Sequence, residues 1–166
     1  MCDFFEVMAA SGEGNGESFN RLPVAPHELI LAEAGYCSIA GIEYVHRQNA
    51  DVLVRVNPQS FVAYSPYGRR IWLLSRLRTV SNVAPTGEWR VVLHGRNSTF
   101  AGRVGAVRTS GHAIQQAHRR LLRRASRKQM ATRPERLEFA NYVLLFTTRP
   151  RSSASEVLIR TSISFR

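Results

Sequence analysis

Apolar and polar residues recur along this chain with two periods, and the switches between them mark its elements. LILA (29–32) and DVLVRV (51–56) are short continuous apolar runs, each predicted to be a strand, the first buried on both faces. Between them Ser38 is placed to cap a helix that carries Ile39, Ile42 and Val45 along one side, with Asn49 as its stop. Strand, helix and strand at crossover spacing predict a right-handed parallel βαβ unit. Glu33 then stands at a carboxyl strand end, where open α/β sheets collect their functional groups.

Beyond Asn57-Pro58 the pattern changes. FVAYSPYGRR (61–70) reads as a hairpin around Ser-Pro-Tyr-Gly, 71–80 as a short helix, and 87–95 and 101–109 as strands. Residues 113–128 follow the helical period. Ile114, Ala117, Leu121, Leu122 and Ala125 share one side, and Arg119/Arg123/Arg127 and Arg120/Arg124/Lys128 form two rows on the other. YVLLFTT (142–148) reads as a buried strand and FFEVMAA (4–10) as a short one. The glycines of 11–18 end in no Gly-Lys-Ser/Thr, so they are read as a turn and not a phosphate loop. Trp72, Trp89 and Phe146 are assigned to the core, and Tyr36 to packing beneath the turn after the first strand.

Composition narrows the function classes. The 166 residues are 44% hydrophobic, enough for a folded core. No apolar run approaches the ~20 residues of a membrane helix, and the amino end lacks a basic n-region and a long h-region. The expectation is a cytoplasmic, nucleoid-associated protein with no membrane partner. Cys2 and Cys37 form no CxxC, and the five histidines are scattered, so zinc and a disulfide framework are not indicated. No nucleophile–base pair is visible, which disfavours an intact hydrolase.

Charge changes the picture most. The formal net charge is +11, and between Glu88 and Glu135 eleven basic residues occur with no acid. A block of this kind suits a polyanion, because phosphate contacts release counterions. A solvated helix face is the plainer alternative. Arg55, which alternates with Val54 and Val56, stays open between DNA contact and an exposed strand charge.

Three segments together resemble one family. Residues 16–60, from GESFNRLPVAPHELILAEAGY to DVLVRVNPQS, are similar to the region around the second catalytic acid of DDE-type bacterial insertion-sequence transposases of the family-four type. GRVGAVR (102–108) with the arginine helix resembles their β-rich insertion, and YVLLFTT with SASEVL (142–158) the approach to their final acid. The resemblance implies an α/β fold: a fragment of an RNase H-like fold (the βαβ unit) with a β-rich inserted region and an arginine-rich amphipathic helix. It divides the chain into 1–60 (core), 61–135 (insertion) and 136–166 (return strand and start of the final catalytic helix).

In that family three carboxylates hold two Mg²⁺ ions that cut and join DNA. The resemblance puts Glu33 at the second acid, as a catalytic and metal-ligating position, and implies DNA contact through Arg55, Arg119, Arg120, Arg123, Arg124, Arg127 and Lys128. DNA is the implied partner, with a dimer in the intact family. The departures are specific. The family's Asp-Arg-Gly-Tyr is Glu33-Ala34-Gly35-Tyr36 here, and the extra methylene of Glu displaces its carboxylate. Asp3 lacks the context of the first acid, and Glu156 falls too early to be the last. The expectation is an inactive, truncated transposase copy that binds no Mg²⁺ productively. The alternative is a small basic nucleic-acid-binding protein without catalysis, for which the arginine helix is the whole function.

Overall fold

The computed structural model describes residues 18–149. The expected strand at 4–10 and the helix start at SASEVL (153–158) lie outside them, as do Asp3 and Glu156. The core of the fold is one seven-stranded sheet, in the order β1-β2-β7-β6-β5-β3-β4. Its strands are β1 (Leu29–Ala32), β2 (Asp51–Arg55), β3 (Ala63–Tyr64), β4 (Arg70–Ile71), β5 (Thr86–His94), β6 (Thr99–Arg108) and β7 (Tyr142–Thr147). The helices are α1 (Ile39–Arg47), α2 (Leu73–Leu77), α3 (Gly111–Arg127) and α4 (Pro134–Phe139).

The βαβ pattern is realised. β1 and β2 pair in parallel, Leu29 opposite Asp51 and Ala32 opposite Val54, and α1 joins them. Ser38 caps α1 by accepting the Gly41 N–H at 3.1 Å. The chain leaves the helix through Asn49 at φ 58°, a left-handed conformation that asparagine tolerates. Ile42 and Val45 are fully buried. Phe19 packs under Gly41, where a Cβ would come within 3.0 Å of its ring, and against Tyr36 at 5.4 Å between centroids.

All other strand pairs are antiparallel. β7 lies between β2 and β6, so it joins the parallel pair to the long β5–β6 hairpin. That position explains its apolar run, since Leu144, Leu145 and Phe146 are buried between two neighbouring strands. Gly102 of β6 leaves room for the Phe146 ring, which a Cβ there would strike.

Three sequence expectations are corrected. β1 is not buried on both faces: it ends the sheet, with Leu31 67% exposed, and only Ile30 and Ala32 pack on the core. An apolar run reports hydrophobicity and not the number of neighbours, so an end strand and a central one look alike. Trp72 is 65% exposed, because it precedes α2 at the β4 end of the sheet instead of pointing under it. Leu122, assigned to the apolar side of α3, is exposed, because that side is covered only along Ile114, Ala117, His118, Leu121 and Ala125.

Candidate functional site

The arginine helix is built for exposure. Ser110 caps α3 by accepting the Ala113 N–H, and none of its seventeen residues is fully buried. Besides its partly covered apolar side, a hydrogen bond ties it down. His118 Nε2 lies 2.9 Å from Leu137 O and 2.9 Å from Asn141 Oδ1, both acceptors, so the ring donates there. Arg119, Arg120, Arg123, Arg124, Arg127 and Lys128 are all exposed. Among the described residues no carboxylate pairs with any of the six. Along the two rows like charges stand four residues apart, each pair costing an isolated helix roughly 0.2–0.5 kcal/mol. Arg124 and Arg127 in the last turn recover part of that through the helix dipole. An anionic partner along this face relieves the repulsion.

The carboxyl end of the parallel pair carries the other expected residues. Glu33 follows β1 and Arg55 ends β2, and their side chains meet at 3.8 Å with both more than half exposed. The structure therefore brings together two of the sequence candidates, but as an ion pair. Asp51 begins β2 at the opposite end of the sheet, as parallel pairing requires. Its carboxylate accepts from the Thr148 hydroxyl at 2.9 Å, and that hydroxyl accepts from the Val52 N–H. Among the described residues no three of His, Cys, Asp and Glu cluster as a metal would need. One carboxylate facing a guanidinium does not fit a two-ion site, in which shared carboxylates hold the ions about 3.5–4 Å apart.

The carboxylate with a built environment is one the sequence does not single out. Glu43, on α1, is 4% exposed. Its carboxylate accepts from the backbone N–H groups of Arg96 and Asn97 at 3.0 and 2.8 Å, and from the Ser98 hydroxyl at 2.9 Å. These donors, the Asn97 N–H first, hold its pKa below the ordinary glutamate value against the opposing effect of burial. Gly95 is required beside it, since a Cβ there would collide with the carboxylate. Glu43 thus pins the turn of the β5–β6 hairpin to α1. Cys37 is also buried, and burial pushes its thiol up more than a backbone hydrogen bond to Asn57 lowers it. It is placed as a packing residue, not a nucleophile.

No family model, curated protein or solved structure matches this chain. No helix among the described residues is long and apolar enough to cross a membrane.

Proposed function

We propose that this chain binds duplex DNA without sequence preference through the exposed face of α3, and that it derives from the catalytic domain of a DDE insertion-sequence transposase whose strand-cutting chemistry it does not perform. The observation that carries the binding is the pair of cationic rows on α3, repelling one another and facing solvent. The descent has separate support. A parallel βαβ unit with an acid at the carboxyl strand end is the arrangement that an RNase H-like core would supply.

The second reading keeps the binding and drops the descent. The Glu33–Arg55 ion pair favours it, because an arginine held against the acid opposes a cation there. An adjacent reading frame that encodes Tyr-x-x-Arg-Trp-x-x-Glu would favour the transposase origin over this reading.

The binding is tested by measuring affinity for a short duplex against salt. With ~4–6 phosphate contacts the log–log slope is about −4 to −5. Replacing Arg119, Arg123 and Arg127 together by Ala flattens it. A slope near zero for the unmodified chain leaves α3 as solvated surface.

A further inference from the structure

At the β4 end of the sheet, one face carries a run of rings and charge. Tyr64 of β3 is opposite Arg70 of β4 and Val92 of β5. Cross-strand partners share a face, and so do residues two apart on a strand. Tyr64, Arg70 and His94 therefore stand on the same side, and the buried Ala63, Val91 and Leu93 on the other. The His94 ring meets Tyr64 edge-on at 4.5 Å, and the Arg70 guanidinium lies over Trp72 at 4.6 Å. Trp72 is 65% exposed, and Tyr67, at the tip of the β3–β4 turn beside Gly68, is more exposed still. Single exposed aromatics are ordinary on protein surfaces. Two contact pairs, His94 on Tyr64 and Arg70 on Trp72, joined by the Tyr64–Arg70 cross-strand register, are not a scatter. Along the chain the segment is basic, since Arg69 precedes β4, Arg70 begins it, and no acid occurs from 52 to 87.

We propose that this face, from His94 through Tyr64 and Arg70 to Trp72, is a stacking surface for the unpaired bases of single-stranded nucleic acid. Unpaired bases offer flat π faces to Trp72 and Tyr64, and a connecting phosphate meets Arg70. An acidic peptide would satisfy the arginines but would leave the indole face in water. The site deepens the nucleic-acid reading above and is separate from α3. It takes strands whose bases are accessible, whereas α3 takes any phosphate backbone.

The test uses the full chain with an oligothymidylate, a duplex of equal length and polyglutamate at one salt concentration. Affinity is read by anisotropy, and Trp72 by the emission lost in Trp72→Phe, because Trp89 emits as well. Single strand quenches the emission. Trp72→Ala weakens single-strand affinity roughly tenfold, Arg70→Ala weakens it less, and Trp72→Phe retains most of it. Duplex affinity does not change in these variants, and circular dichroism checks that each is folded. The proposal is overturned if Trp72→Ala leaves single-strand affinity within about twofold, if it weakens duplex binding equally, or if polyglutamate quenches as strongly. The two sites fail separately. Loss of duplex binding in the Arg119/Arg123/Arg127 variant with the Trp72 effect intact supports both. An unmodified chain that binds only single strands, dependent on Trp72, removes the α3 reading and keeps this one.

Discussion

Glu33 and Glu43 belong to the same βαβ unit and differ in everything that gives a carboxylate a task. Glu33 sits at a strand end, more than half exposed, with a guanidinium at 3.8 Å as its partner. Glu43 is buried and accepts from two backbone N–H groups and a hydroxyl. Position in the fold marks the first as the chemical candidate, and environment marks the second as the one the structure depends on. The difference lies in the donors. A buried carboxylate keeps its charge only where hydrogen bonds replace water, and removing it strands those donors in turn.

The sharpest way to break the comparison is to remove each acid. Glu43→Ala leaves the Arg96 and Asn97 N–H groups and the Ser98 hydroxyl without their acceptor, and is expected to lower the melting temperature more than any other acid-to-alanine change in 18–149. Gly95→Ala forces a methyl against the same carboxylate and should destabilise in the same direction. Thermal melts followed by circular dichroism check both. Melting temperatures unchanged from the parent would mean that the hairpin turn does not rest on Glu43.

Lowering the pH acts on the same contact. The pKa of Glu43 is held below its ordinary value in the folded chain, so the unfolded chain binds its proton first as pH falls. The stability it contributes is complete above the ordinary glutamate range and is lost as pH drops through that range toward the folded value. Glu138 is lowered too, by the Arg78 guanidinium that it meets at 2.8 and 2.9 Å, and contributes with the same sign. Glu43→Gln should flatten the acid limb of the stability–pH curve, and Glu138→Gln should flatten it less, because that pair is open to solvent and screened by salt. Equal acid limbs in the parent and Glu43→Gln would assign the loss to other groups.

How much of this was legible beforehand follows from what local pattern encodes. The βαβ unit, the Ser38 cap, the β3–β4 hairpin and α3 were readable because capping, alternation and helical period are written in neighbouring residues. What depends on neighbours distant in sequence was not. Whether β1 has one partner or two cannot be read from LILA, and the exposure of Trp72 depends on where β4 falls in the sheet. Glu43 contacts residues more than fifty positions away, so on its helix it looks like any other acid. The nearest signal was its place on the helix next to Ile42, on the side that turns inward. For the candidate site, the arginine rows and the Glu33 position came from the sequence. The ion pair that occupies Glu33 needed the parallel register that sets Arg55 beside it.

The smallest expected effect is at Glu33 itself. Its ion pair is long and solvated, so Glu33→Ala should leave stability within about 0.5 kcal/mol of the parent, as for surface changes generally. It should also leave catalysis where it starts. Two-ion cleavage needs carboxylates that share the ions, and the described acids nearest in sequence are engaged elsewhere, Glu28 by the Ala25 N–H before β1, Glu43 by the hairpin turn and Asp51 by Thr148 at the far end of the sheet. Glu33→Asp, which introduces the shorter side chain of the motif that residues 33–36 resemble, adds no second ligand. Supercoiled plasmid incubated with Mg²⁺ or Mn²⁺ and the parent, Glu33→Asp or Glu33→Ala should therefore remain supercoiled in all three reactions. Metal-dependent nicking by the parent that Glu33→Ala abolishes would reverse the comparison. Glu33 would then be the working acid, and its ligand partners would have to come from residues outside 18–149 or from a second copy of the chain.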